Sequence, residues 1–164
     1  MKTLYLLRHA KASSDNPGLA DIDRPLTDRG SSDAHLVSKH LSEKKIPLDV
    51  IITSPSVRTF STAMIFAVNL KFPVDKIQLR KKLYDTSVDD YLKCISENSE
   101  DHVLIVGHNE TITAVAQKLS KHRVLEMKTC SFVAIQFDET TWINAIHTKG
   151  KLDLHMSPEE LKSL

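Results

Sequence analysis

The sequence predicts an α/β domain, a three-layer sandwich in which a mostly parallel central sheet carries helices on both faces. Two features support this prediction. Short, continuous apolar runs of strand length recur along the first 120 residues, as is typical of strands buried on both faces of a parallel sheet. Segments with helical periodicity separate these runs, and such alternation is the pattern of this fold class. The chain has 164 residues, so we predict one domain over residues 1–164.

The strands are predicted from apolar runs flanked by turn residues. The first runs lie at residues 4–7, 49–53, 77–79 and 102–106. Near the C-terminus, residues 132–137 and 142–147 are apolar or alternating around Asp138-Glu139-Thr140. They predict a hairpin or a pair of edge strands.

The helices are predicted from periodicity and capping residues. Residues 12–30 are rich in Ser, Asp, Pro and Gly and predict a loop before a helix at 31–45. Four later helices are predicted. One begins after a cap at Ser56, and one covers residues 88–97. One runs to about residue 119 with Asn109 or Thr111 as its cap, and a short one follows Ser157-Pro158 near the end.

Composition limits the compartment and the partners. The formal net charge of +1 does not by itself argue for or against nucleic acid, and we predict neither a nucleic-acid nor a membrane partner. Cys94 and Cys130 have no metal or redox spacing and are predicted to be buried free thiols of a reducing compartment. Arg8 interrupts the N-terminal apolar run before a signal sequence can form, so we expect a cytoplasmic location.

Basic residues follow three of the predicted strands. Arg8 and His9 come after the first strand, Arg58 follows Ser54-Pro55-Ser56 after the second, and His108 comes after the strand at 102–106. Ligands of open parallel sheets bind beyond the carboxyl ends of the strands, so we expect these four side chains to converge.

The four residue types suit a phosphoryl group. Arginine offers planar pairs of N–H donors to phosphate oxygens and stays charged. A histidine among arginines is pushed toward its neutral form, which nucleophilic attack requires. No ligand cluster of recognisable spacing is present, so we predict no metal and no cofactor.

Five segments, in the same order along residues 3 to about 120, resemble the motifs of the histidine phosphatase superfamily, the phosphoglycerate mutase-like group. Its Arg-His-Gly signature is Arg-His-Ala-Lys here, which is similar to the short SixA-type phosphohistidine phosphatases. The matching segments are residues 6–11, 23–30, 54–63, 83–85 and 106–109.

The resemblance implies a role for each matching residue. His9 would be the phosphorylated nucleophile, and Arg8, Arg58 and His108 would form the phosphate pocket. Asp85 would be the general acid, with a helix cap at Asp85-Thr86-Ser87 as the alternative. Thr27 and Asn109 would hydrogen-bond from the rim of the pocket.

The resemblance also implies the reaction. Only 48 residues separate Thr53 from His102, which leaves little chain for the closing lid that a mutase needs to exclude water. This favours hydrolysis, with a phosphorylated protein such as a histidine-phosphotransfer domain as the substrate. Hydrolysis of a small phosphate ester or nucleotide is the alternative, and a phosphate-binding adaptor without turnover is a further one.

Overall fold

The computed structural model describes all 164 residues, and its centre is one six-stranded sheet. The strands and helices follow one another as β1 (Lys2–Arg8), α1 (Asp28–Glu43), β2 (Val50–Thr53), α2 (Val57–Asn69), β3 (Gln78–Leu79), α3 (Val88–Ser96), β4 (His102–Gly107), α4 (Thr111–Leu119), β5 (Phe132–Phe137), α5 (Trp142–Ala145), β6 (Lys151–Met156) and α6 (Pro158–Lys162). Short 3-10 turns lie at Asp21–Asp23, Val74–Lys76 and Lys81–Leu83.

The sheet is mostly parallel, as predicted. Its spatial order is β3-β2-β4-β1-β5-β6. The pairings β2–β3, β2–β4 and β1–β4 are parallel, and β5 runs antiparallel to both of its neighbours. The carboxyl ends of β1, β4 and β2 therefore lie side by side, which is where the sequence delivers its basic residues.

Two separate apolar clusters confirm the three-layer arrangement. Successive residues of β1 alternate between them, with Leu4 and Leu6 in one cluster and Tyr5 and Leu7 in the other. The first cluster includes residues of α3, α4 and α5, and the second includes residues of α1 and α2. Helices thus cover both faces, and the central strands are buried on both sides.

The predicted strand at residues 142–147 is wrong. Trp142–Ala145 forms the short helix α5, and the strand that pairs with β5 is Lys151–Met156. Thr141 caps α5 by accepting a hydrogen bond from the amide of Asn144. Trp142 is fully buried and packs edge-on against Phe137, so burial of the indole decides the local structure rather than the alternating pattern.

The predictions of where helices begin and which residues cap them are confirmed for some helices and wrong for others. Helix α1 begins at Asp28, three residues earlier than expected, because Thr27 caps it. Ser56 and Ser157 cap α2 and α6 as predicted, but α4 is preceded by Glu110, which makes no side-chain cap, so the prediction of Asn109 or Thr111 there is wrong. None of the helices combines the length and the apolar character needed to cross a bilayer.

Candidate active site

One pocket of about 660 Å³ opens at the carboxyl ends of β1, β4 and β2. We call it the strand-end pocket. Its lining includes Arg8, His9, Asp21, Arg24, Arg58, Tyr84, Asp85, His108, Asn109 and Glu110. The four basic residues predicted to converge therefore do so. Another cavity, of about 580 Å³ beside β2 and β3, contains none of the predicted site residues.

His9 is held by its main chain and by its ring. The amide of His9 donates to the carbonyl of Gly107 at the end of β4 (3.1 Å), and its carbonyl accepts from the amide of Cys130 (3.0 Å). Ring atom Nδ1 lies 2.7 Å from the carbonyl oxygen of Ala10. Because a carbonyl only accepts, Nδ1 carries the proton, and Nε2 of the neutral ring keeps its lone pair.

Burial keeps the His9 imidazole neutral. Only 8% of the residue is exposed, and this burial is the largest cause of a pKa lowered to about 4. The hydrogen bond to Ala10 acts in the opposite direction, and the charges of Arg58, Arg8 and Arg24 lower the pKa further. Sequence reasoning attributed the neutral form to the arginines, whereas desolvation contributes more.

Helix α2 is tied to the chain that follows β1. Thr62 accepts a hydrogen bond from the amide of Ala10 (3.0 Å) and donates one to the carbonyl of Arg58 (2.7 Å). Thr62 is fully buried, so solvent does not compete for these bonds. The tie fixes the first turn of α2, which carries Arg58, against the backbone beside His9.

The two arginines share an unusual feature, a buried Nε–H without a partner. Arg8 donates from Nη1 to the carbonyl of Met127 (3.0 Å), and Arg58 donates from its Nη groups to Asp21. Buried donors are normally paired, and an unpaired one carries a cost that a ligand can remove. The unpaired N–H groups of two cations are suited to an oxyanion.

His108 completes the inner part of the strand-end pocket. Its Nε2 lies 2.8 Å from Oγ of Ser54, which is fully buried, and its Nδ1 lies 3.5 Å from Nη2 of Arg58. Burial is the main cause of a pKa lowered to about 3, followed by the neighbouring His9 and Arg58. The rings of His9 and His108 are 5.4 Å apart between centroids.

The rim contains two of the three less central predicted residues. Asp85 lines the strand-end pocket, is exposed and has a φ of 50°. It does not cap α3, because Ser87 does. Asn109 also lines the pocket, and its amide donates to Glu126 (3.1 Å).

The structure does not bring Thr27 into the strand-end pocket. Its hydroxyl accepts from the amide of Gly30 (2.9 Å) and donates to the carbonyl of Lys11 (3.3 Å), so it is occupied in capping α1. The rim role expected for Thr27 is corrected to a structural one.

Sequence reasoning missed three residues that contact the predicted ones. Ser54 contacts His108, Asp21 binds Arg58, and Tyr84 donates to Asp21 and lies edge-on to His108. Ser54 directly follows β2, so the strand-end argument could have found it. Asp21 lies in an aperiodic loop, where no pattern singles it out.

Comparison with known proteins identifies the family. Residues 4–91 match the model of the histidine phosphatase superfamily (branch 1). The chain belongs to the histidine phosphatase superfamily. Over 163 residues it is 24% identical to the phosphohistidine phosphatase SixA of Escherichia coli, covering 97% of this chain and 96% of that protein.

Solved structures agree with this assignment at the level of the fold. A SixA structure complexed with tungstate superposes with a TM-score of 0.81 at 22% identity, covering 97% of this chain and 99% of that one. A SixA-like protein of Agrobacterium tumefaciens gives 0.80 at 23% identity, covering 96% and 98%. The resemblance to the SixA-type branch is confirmed, and membership of this superfamily supports phosphatase activity.

Proposed function

We propose that this histidine phosphatase removes phosphoryl groups from a phosphorylated protein through a covalent phosphohistidine intermediate on His9. The observation that carries this proposal is the neutral, buried imidazole of His9, whose Nδ1–H is held by Ala10. Its Nε2 keeps a lone pair for attack. The unpaired Nε–H groups of Arg8 and Arg58 supply donors for the phosphoryl oxygens.

In the first step, Nε2 of His9 attacks phosphorus in line. The N–P bond forms while the bond from phosphorus to the leaving atom breaks, and the leaving group takes that electron pair. Asp85 is the proposed donor of the proton that the leaving group needs, since it lines the pocket. Arg8 and Arg58 stabilise the equatorial oxygens, and His108 donates to one of them from Nδ1–H in the tautomer whose Nε2 accepts from Ser54.

In the second step, water attacks the phosphohistidine. The P–N bond breaks, its electron pair returns to Nε2 of His9, and inorganic phosphate leaves. Asp85, which gave up its proton in the first step, accepts one from the attacking water. His9 is thereby restored to the neutral form in which it started.

We further propose that neither step needs a metal ion. No group of three or more His, Cys, Asp or Glu side chains is arranged to hold one. Guanidinium groups supply the positive charge that a metal would otherwise bring to the phosphoryl oxygens. The predicted absence of a cofactor belongs to the same proposal.

Protein-borne phosphohistidine is the proposed substrate. The relative from Escherichia coli, which matches over nearly the whole chain, is named for this activity, and a SixA structure holds tungstate, a tetrahedral oxyanion like phosphate. Asp85 and Glu110 at the rim are exposed, which leaves them accessible to the surface of a bulky substrate.

The test is a comparison of rates across substrate classes. We expect a protein carrying phosphohistidine to be hydrolysed with a higher kcat/KM than small phosphate esters or nucleotides. His9→Ala should abolish phosphate release, whereas His147→Ala, which removes an exposed histidine outside the strand-end pocket, should not change it.

The alternatives predict different results in this test. A higher kcat/KM on metabolites would replace the protein substrate with a small phosphate ester. Phosphate binding without release from any substrate would identify a binding adaptor.

A further inference from the structure

Asp21 holds both ends of the Arg58 guanidinium. It lies in the 3-10 turn Asp21–Asp23, in the loop between β1 and α1. Its main-chain oxygen accepts from Nη1 of Arg58 (2.7 Å), and its carboxylate Oδ2 accepts from Nη2 (2.9 Å). Arg58 is only 6% exposed, whereas the Asp21 side chain is 56% exposed, and Asp21 is the one carboxylate that pairs with Arg58.

The contact determines which edge of Arg58 stays free. Each Nη carries two N–H groups, and Asp21 takes one from each, which occupies the far end of the guanidinium. The side edge, formed by Nε–H and the second N–H of Nη2, keeps only the long 3.5 Å approach to His108. That edge is a planar pair of donors of the kind that binds two oxygens of a phosphate.

Asp21 is itself fixed by two further donors: while Arg58 donates to Oδ2, Nε of Arg24 donates to Oδ1 (3.1 Å). The hydroxyl of Tyr84 donates to the same Oδ2 (2.7 Å), and the Tyr84 ring lies edge-on to His108 with 5.4 Å between centroids. The hydrogen bond from Tyr84 is the largest cause that lowers the pKa of Asp21, to about 2, and Arg58 contributes too. The Asp21 carboxylate therefore links its own loop to helix α2 through Arg58 and to the ring of Tyr84, which lies beside His108.

We propose that Asp21 is a positioning residue that orients the side edge of Arg58 toward the phosphoryl group. This rests on the proposed function, because it concerns the same site. A carboxylate at an anion site opposes anion binding by its charge. Its contribution is therefore geometric, and an uncharged acceptor of the same shape can replace it.

Two substitutions at this position separate geometry from charge. Asp21→Asn removes the charge and the acceptor of Arg24 but keeps an oxygen that can accept from both Arg58 and Tyr84, whereas Asp21→Ala removes every side-chain acceptor. Asp23→Ala is the matched control, since Asp23 lies in the same turn, is exposed and makes no side-chain hydrogen bond or ion pair. Tyr84→Phe removes the hydrogen bond from Tyr84 and leaves those from Arg58 and Arg24.

Calorimetric binding of inorganic phosphate is the first measurement. We expect Asp21→Ala to bind phosphate about tenfold or more weakly than Asp21→Asn, as the loss of one charged hydrogen bond implies. Asp21→Asn should stay within about threefold of the wild type, because loss of a repelling charge offsets the weaker acceptor. Tyr84→Phe should weaken binding by about threefold or more, the range of one neutral hydrogen bond, and Asp23→Ala should not change it.

Turnover of p-nitrophenyl phosphate is the second measurement. Arg58 contacts the phosphoryl group in the ground state and the transition state alike, so Asp21→Ala should raise KM with little change in kcat. General destabilisation of the fold would instead reduce the fraction of active enzyme and lower kcat at unchanged KM. Thermal unfolding of each variant identifies that case.

Two results would overturn the positioning role. One is equal phosphate affinity in Asp21→Ala and Asp21→Asn, and the other is tighter binding by Asp21→Ala than by the wild type, which would make Asp21 a competitor of the anion. Should Asp21→Ala not fold, unchanged affinity in Tyr84→Phe refutes the role. A wild type that binds phosphate but hydrolyses nothing defeats the proposed function alone, because the order of phosphate affinities still tests Asp21.

Discussion

The pKa of His9 leads to a direct prediction about acid pH. Nucleophilic attack requires the neutral ring, and burial lowers the pKa of His9 from 6.5 to about 4. At pH 5.5 a histidine with the ordinary pKa is only about one tenth neutral. With a pKa near 4, His9 stays almost entirely neutral at that pH. Activity should therefore be retained as the pH is lowered, and it should be lost only as the pH approaches 4.

The assay is kcat/KM from pH 4 to 8 on a substrate whose own phosphate ionisation has been measured and divided out. We expect less than about a twofold fall between pH 7 and 5.5, against about tenfold for an unshifted histidine. Titration of the His9 ring by NMR checks that the acid limb belongs to this residue. An acid limb near pH 6.5 that coincides with the titration of His9 would refute the argument that burial keeps the nucleophile neutral.

Three further predictions concern the rest of the site. His108→Ala should lower kcat by about a hundred- to a thousandfold through loss of one contact to the transferring phosphoryl group, and a fall below about fivefold in steady-state kinetics would exclude that role. Gly107→Ala should lower the free energy of unfolding by about 1–3 kcal/mol in urea titrations. The reason is that a Cβ at Gly107 lies 2.8 Å from Cε2 of the buried Tyr91, whose hydroxyl accepts from the amide of His108 (3.1 Å). The matched control Gly18→Ala meets only the side chain of Asn16 and should change stability little. EDTA should leave turnover unchanged, and full loss of activity that zinc or magnesium restores would contradict the metal-independent mechanism.

The inner part of the site was predictable because it depends on strand ends. Arg8 ends β1, His9 and His108 directly follow β1 and β4, and Arg58 lies in the first turn of the helix after β2. A parallel sheet aligns these ends whatever the details of the loops. The same regularity explains why the fold class could be derived from apolar runs alone.

The parts that sequence reasoning missed depend on tertiary contacts. The Asp21–Arg58 contact joins residues 37 positions apart. Asp21 lies in a loop whose sequence has no periodicity that would indicate this contact. The helix at Trp142 forms where an alternating pattern suggested a strand, because the indole is buried and its Nε1–H donates to the carbonyl of Glu100. Local pattern is overridden where one large side chain finds a specific partner.

The covalent intermediate is tested most directly by rapid acid-free quenching of the enzyme during turnover of ³²P-labelled substrate. We predict a label that is acid-labile and base-stable, located on the peptide that contains His9. It should be present in wild type and in His147→Ala and absent in His9→Ala. No label on His9, at enzyme concentrations where a burst of product is visible, would contradict the covalent mechanism while leaving the phosphatase assignment in place.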